Sequence, residues 1–275
     1  MTFPSLKTMT IAATMALGAV LSSAAHAQSD SVLETIQERG KLTVGMSTFV
    51  PWAMRSTEGE LIGFEIDVAT KLAEDMGVEV EFVPTAWSGI IPALLAGKFD
   101  VIIGGMSITP QRNLTVNFTA PYANSGNQLA ANVELTADFT DMSDFDDTSV
   151  NLVCRRGVVG CDVLAANFPR ANILQFDDNA QALQEVLNGN AHAIIASAPE
   201  PAFWVEDNAG TIELAFGGEY LARGNEAFAL RKGDVDALNF FSNWILVNQA
   251  NGFLDERHDY WFSGRKAWMD IVATE

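Results

Sequence analysis

The chain has 275 residues, 48% of them hydrophobic and 19% charged, with a formal net charge of −19. That length suits one large domain or two modest ones, and the composition suits a packed globular fold. So negative a chain argues against nucleic acid and anionic membrane surfaces as partners, but leaves room for a small ligand held by local charges.

The chain opens with MTFPSLKTMTIAATMALGAVLSSAAHAQ, which has one lysine (Lys7), an apolar middle and small residues ending in Ala25-His26-Ala27. This is the pattern of a secretory signal peptide over residues 1–27, with a small-x-small cleavage site. Its apolar part is short for a membrane span, and no later segment is long and apolar enough. An exported protein whose mature chain begins near Gln28 is therefore expected. Export also bears on the two cysteines, Cys154 and Cys161. An oxidising compartment favours a disulfide over free thiols, if the fold brings the two close enough. With no histidine nearby they make a poor zinc site. No metal and no cofactor are expected.

KLTVG (residues 41–45) reads as a strand running into a long loop. GFEIDVATKLAEDMG then reads as a helix, because Phe64, Val68, Leu72 and Met76 form one apolar stripe. Glu65 and Asp67 fall in its first turn, where the helix dipole favours anions, and Gly77 closes it. VEVEFVP alternates like a strand. Trp87-Ser88 opens a second short helix, ended by Gly97, and the strand FDVIIGG follows. Strands alternating with helices imply βαβ units and a parallel sheet.

The plan then recurs. ALLAGKFDVIIGG lies 92 positions before EVLNGNAHAIIAS, so that Gly97 matches Gly189, Ile102-Ile103 match Ile194-Ile195, and Gly104-Gly105 match Ala196-Ser197. The preceding stretch, DDTSVNLVCRRGVVGCDVLAANFP, again reads as strand, glycine loop and helix. The expected fold is therefore α/β, with two similar lobes rather than one long sheet. Residues 210–234 offer strands and glycine turns. The end is helical, with Leu238, Phe241, Trp244, Ile245 and Val247 on an apolar face. Tyr260, Trp261 and Phe262 read as packing residues.

VIIGGMSITPQR (residues 101–112) begins as a core strand and ends in backbone donors, hydroxyls and a fixed positive charge. Ligands of open parallel sheets bind at the carboxyl ends of strands, beside helix N-termini. Gly104 and Gly105 allow close backbone approach. Ser107 and Thr109 offer hydroxyls, and Thr109-Pro110 also reads as an N-cap with proline at the first helical position. Arg112 can fork a carboxylate. By residue types alone, a plain helix start with a surface arginine fits this stretch as well as an anion site does.

The stretch from about residue 40 to 262 resembles the amino-acid class of periplasmic solute-binding proteins of ABC transporters. GELIGFEIDVATKLAEDMG is similar to that family's G-F-[DE]-x-D-[LV] signature, and IIPALLAGKFDVIIGGMSITPQR with VNFTAPY to its next block. The resemblance implies two α/β lobes joined by a hinge (type II), closing on a ligand. Lobe one would be residues 28–132 plus 226–275, and lobe two residues 133–225. It implies a small-molecule carboxylate held by Arg112, Ser107 and the backbone at Gly105, with Phe49 and Trp87 as aromatic walls. It also implies a permease in the inner membrane as partner, a periplasmic location, a monomer and no catalysis. Lobe two departs from the pattern. Val158 and Val159 stand where a threonine is usual, and Ser197 stands where an aspartate usually meets the ligand's ammonium. A buried ammonium without an anion is costly. Either another carboxylate serves, with Glu200 a candidate, or the ligand has no such group. Arg155 stands where members with polar ligands make a side-chain contact, which suits a second acceptor. An exported cyclohexadienyl dehydratase on the same fold is the alternative, although its catalytic acid would fall near Gly160.

Overall fold

The computed structural model describes residues 31–273, so the expected leader over residues 1–27 lies outside them. The first half contains α1 (Val32–Arg39), β1 (Lys41–Met46), β2 (Met54–Arg55), β3 (Leu61–Ile62), α2 (Phe64–Met76), β4 (Glu79–Pro84), α3 (Ile90–Leu95), β5 (Val101–Ile102), α4 (Pro110–Asn113) and β6 (Asn117–Asn132). The second half contains β7 (Asn151–Arg155), α5 (Val159–Asn167), β8 (Asn172–Phe176), α6 (Asn179–Leu187), β9 (Ala193–Ser197), α7 (Glu200–Asp207), β10 (Ile212–Leu214), β11 (Ala222–Leu230), α8 (Val235–Ala250), α9 (Phe253–His258) and α10 (Arg265–Trp268).

Local signals decide most of these elements. Phe64, Val68 and Leu72 of α2 are buried as their spacing requires, and Gly77 ends the helix at φ 70°. Asp234 caps α8 through the N–H of Ala237 and also accepts the N–H of Val32 and the hydroxyl of Ser31, so one carboxylate joins the starts of α1 and α8. On α8 the stripe differs from the sequence reading. Phe241, Trp244 and Ile245 are buried, but Val247 is 61% exposed and Asn248 takes the inward position. The buried set (Ala237, Phe241, Trp244, Ile245, Asn248) recurs every three or four residues, and Val247 falls between its rows.

Among the described residues nine strands form one sheet, ordered β4-β1-β5-β11-β6-β9-β7-β8, with β10 beside β6. The triads β4-β1-β5 and β8-β7-β9 are parallel and share one strand order, which is the structural form of the 92-residue repeat. Each is covered on both faces, as parallel sheets require. Val101 and Ile103 enter one core and Ile102 the other. Leu152 and Cys154 likewise oppose Val153 in the second triad.

Two long antiparallel strands join the triads. β11 pairs with β5 and with the first part of β6, while β9 pairs with the last part of β6. Since β5 runs with β6 and β9 runs against it, the carboxyl ends of both triads point into one gap. This arrangement is the expected α/β fold of two similar lobes, but β6 and β11 link the two triads into one continuous sheet rather than leaving them separate.

The crossing region also buries acid. Glu65 of α2 is fully buried and accepts the hydroxyl of Tyr122 on β6 at 2.5 Å. Burial pushes its pKa up to about 8, helped by the nearby Glu226, whose own pKa burial pushes up to about 7. The unfolded chain keeps the ordinary value near 4.5. The native state thus holds the extra proton between about pH 4.5 and 8, so stability falls as pH rises through that window. In Glu65→Gln, which mimics the protonated acid, melting temperature should fall less from pH 5 to 8 than in the parent. Parallel melting curves across that range would contradict the assignment.

Candidate functional site

The loops that leave the carboxyl ends of both triads line a cleft between them. Phe49 follows β1, Trp87 follows β4, and Gly105 and Ser107 follow β5. Across the gap, Arg155 ends β7, Val158 and Val159 begin α5, Asn179 begins α6, and Ser197 ends β9. Arg112 of α4 and Asn127 of β6 complete the wall. All seven residues singled out from sequence (Phe49, Trp87, Gly105, Ser107, Arg112, Arg155 and Ser197) therefore meet at this cleft.

Arg112 is set by its own short helix. Thr109 caps it, its hydroxyl accepting the N–H of Arg112 at 3.1 Å, and Pro110 takes the first position. The guanidinium donates from Nη1 to the carbonyl of Ser107 at 2.9 Å and from Nη2 across the gap to the carbonyl of Gly157 at 3.0 Å. Trp87 Nε1 donates to the same Gly157 carbonyl at 3.2 Å. Arg155, 5% exposed, reaches the other way, donating to the carbonyl of Thr48 at 3.3 Å and to the hydroxyl of Ser47. Both guanidiniums lie over the Trp87 ring, 5.8 and 5.9 Å from its centroid.

Local charge in the cleft opposes that of the whole chain. Two arginines line it, and no aspartate or glutamate stands among its lining residues. Burial lowers the pKa of Arg112, an effect that Asp162 opposes, and the group stays cationic at any physiological pH. Ser197 faces Asn127 in the β6–β9 register and carries no charge. Glu200 lies one residue behind the wall, accepting the side-chain amide of Asn179 at 2.6 Å.

Some positions differ in detail from their sequence reading. The N–H of Gly105 donates to Tyr122 Oη at 3.0 Å, so this donor turns into its own lobe. What Gly105 gives the cleft is space. At φ 63°, a Cβ would sit 2.8 Å from the Phe49 ring. Phe49 and Trp87 lie 6.5 Å apart and tilted by 56°, which makes a corner rather than two parallel walls. Trp52 is core, stacked on Phe49 and edge-on to Phe262. Cys154 and Cys161 form a disulfide with Cα atoms 5.6 Å apart, bracketing the loop that presents Arg155 and Gly157. Asn127 and Asn179 were missed, because neither stands in a pattern that distinguishes it from surface polar residues.

Residues 42–264 match the family described as bacterial extracellular solute-binding proteins, family 3. The L-cystine-binding protein TcyJ of Escherichia coli (strain K12) is 29% identical over 234 residues, covering 85% of this chain and 86% of its own. A cyclohexadienyl dehydratase of Pseudomonas aeruginosa is 26% identical over 256 residues, covering 90% of this chain and 92% of its own. The crystal structure of the ancestral amino acid-binding protein AncCDT-1, a precursor of cyclohexadienyl dehydratase, superposes with a TM-score of 0.77 at 34% identity, over 84% of this chain and 99% of that one.

Gly157 is one of the points where the two lobes touch. It holds φ 81°, and a Cβ there would meet Ser88 Cα at 3.4 Å. Gly157→Ala should cost about 1–2 kcal/mol of folding stability, the backbone cost of a side chain at positive φ; a melting temperature equal to the parent's would contradict it.

Proposed function

The chain belongs to the bacterial extracellular solute-binding proteins of family 3, and on that premise we propose that it is the periplasmic substrate-binding component of an ABC transporter. Its ligand is an amino acid or a related small carboxylate, taken between the two lobes and handed to a permease in the inner membrane. The L-cystine-binding and amino acid-binding proteins it resembles support this reading. The lobes divide as residues 28–132 with 226–275 against 133–225, with the crossing running along β6 and β11. The protein acts as a monomer.

The observation that carries the reading is a pair of guanidiniums, buried Arg155 and half-buried Arg112, one from each lobe, facing across Trp87 a cleft with no acid among its lining residues. Arg112 forks the ligand's carboxylate, and Arg155 takes a second acceptor or anion. Phe49 and Trp87 enclose its apolar part, with Ser107, Gly105 and Ser197 around it. Both arginines now spend donors on protein carbonyls and a serine hydroxyl. A carboxylate is the stronger acceptor, so its entry replaces those weaker bonds with charge-assisted ones.

The dehydratase relative raises a second reading, an enzyme on the same fold. General acid catalysis needs a proton donor in reach of the substrate. No aspartate, glutamate or histidine stands among the cleft's lining residues. At Gly160 there is no room for one, since even a Cβ would lie 3.0 Å from Ile195 Cγ2. Binding is therefore favoured over turnover, and conversion of prephenate or arogenate by the purified protein would reverse that preference.

A thermal-shift screen of amino acids, 2-oxo acids and dicarboxylates on the mature protein should find a ligand, because binding to the native state alone raises stability by RT ln(1 + [L]/Kd). Arg112→Ala should weaken that ligand by roughly thirtyfold or more, the cost of removing one partner of a desolvated charge pair. Unchanged affinity by calorimetry would rule out Arg112 as the carboxylate fork.

A further inference from the structure

The loop that lobe two presents to the cleft is closed by a covalent bond. Cys154 lies near the end of β7 and Cys161 in the first turn of α5, and their disulfide encloses residues 155–160. Cys154 is fully buried and Cys161 is 7% exposed, both packed in one core with Leu152, Leu164 and Ile195. A link so enclosed is shielded from reductants in the native state, so it is a fixed bond rather than a redox switch.

Neither anchor needs the link to find that core. Cys154 is held in the sheet between β8 and β9, opposite Gln175 and Ile195. Cys161 belongs to a helix whose Val163 and Leu164 are buried beside it. The segment between them has far less support. Its ladder with β8 ends where Arg156 N–H donates to the carbonyl of Phe176 at 2.7 Å. Gly157 follows at φ 81°, and Gly160 stands in the first turn of α5, where glycine weakens a helix. α5 also starts without a side-chain cap, because its N-cap is Val158. Thr109, Asp178 and Asp234 cap α4, α6 and α8.

This weakly held segment makes the hydrogen bonds across the gap. The carbonyl of Gly157 accepts Arg112 Nη2 at 3.0 Å and Trp87 Nε1 at 3.2 Å. Arg155 donates to the carbonyl of Thr48 and to the hydroxyl of Ser47. Val158 packs against the Trp87 and Ile90 cluster of lobe one as well as the core of lobe two. A carbonyl and a guanidinium aimed at the other lobe keep their aim only while the backbone from 155 to 160 keeps its course. Closing so short a loop removes most of its alternative courses.

We infer that Cys154 and Cys161 are positioning residues, whose disulfide takes the place of the missing helix cap and presets residues 155–160 so that the Gly157 carbonyl and the Arg155 guanidinium meet lobe one with little loop left to order. The loop geometry stands whatever the cleft holds. Its effect on affinity rests on the proposed binding of a small carboxylate there.

Proton exchange followed by NMR tests it on the mature protein without ligand. Trp87 Nε1–H is bonded across the gap, and a Trp87→Phe variant identifies its signal. Trp244, Trp261 and Trp268 bond within lobe one, to Asp75, Asp67 and the carbonyl of Trp261, and serve as references. In lobe two the amide of Asn172, bonded to the carbonyl of Val150 at 2.8 Å, serves likewise. In Cys154→Ala with Cys161→Ala, the Trp87 proton should exchange roughly tenfold faster or more, while the references stay within about twofold. Cys154→Val with Cys161→Ala, which refills the core, should show the same if the alanine pair does not fold. Unchanged exchange at Trp87 would overturn the inference. So would a rise shared equally by the references, which would make the disulfide merely structural. Calorimetry with L-arginine, L-glutamate and L-leucine reads the consequence for binding. Whichever of them binds the parent should bind the disulfide-free protein roughly fivefold more weakly or worse, the cost of ordering the loop at binding. Equal affinity would overturn the positioning role. Binding of none of the three to the parent would count against the carboxylate reading of the cleft, while the exchange at Trp87 still decides the role of the disulfide.

Discussion

The antiparallel pairing of β6 with β11 is the constraint from which the cleft follows. Each triad is an ordinary parallel unit whose strands end in loops able to hold a ligand. Alone, either end would be an open surface. β6 runs out of the first triad and into the second, and because β5 runs with it while β9 runs against it, the two sets of strand ends are turned toward each other. A ligand that enters is met from six strand ends at once. The same two strands join the triads, so the pairing that builds the cleft also connects its two walls.

Contacts on the two sides of that connection differ in kind. On the cleft side the lobes touch through hydrogen bonds that range from exposed to buried: Arg112 and Trp87 to the Gly157 carbonyl, and Arg155 to Thr48 and Ser47. Each of those donors can be taken over by a ligand oxygen. On the far side Arg265 of α10 pairs with Glu206 and Asp207 of α7, and Phe203 packs against Trp268. These ion pairs and packed aromatics lie outside the cleft lining.

Charge follows the same division. The chain is acidic overall, yet the cleft wall carries two arginines and no acid, while Glu200 and Glu226 stand one hydrogen bond behind it and Glu65 two. Each works through a polar residue: Glu65 through Tyr122 to Gly105, Glu226 to Ser107, and Glu200 to Asn179. An acid held back in this way orients polar groups of the wall without standing among its lining residues. Burial of Glu65 and Glu226 costs stability at neutral pH, as their raised pKa values show.

The sequence by itself determined what depends on neighbours a few positions apart. The α2 stripe, the glycine stops at Gly77, Gly97 and Gly189, the Thr109-Pro110 cap and the repeat that doubles the strand order all carry their physics locally, and all are found in the fold. So did the strand ends, which brought Arg112, Arg155, Phe49 and Trp87 to one place. Val247 shows the limit even there, because approximate spacing fits an apolar residue to a stripe that the helix turns away from its core. Tertiary structure alone decided how those residues are used. Ser107 and Glu226 lie 119 positions apart, and Arg112 reaches Gly157 across 45. Asn127 and Asn179 come to the wall only through β6 and the start of α6. Hydrogen-bond partners and burial arise from contacts between distant segments, which leave no period or motif in the chain.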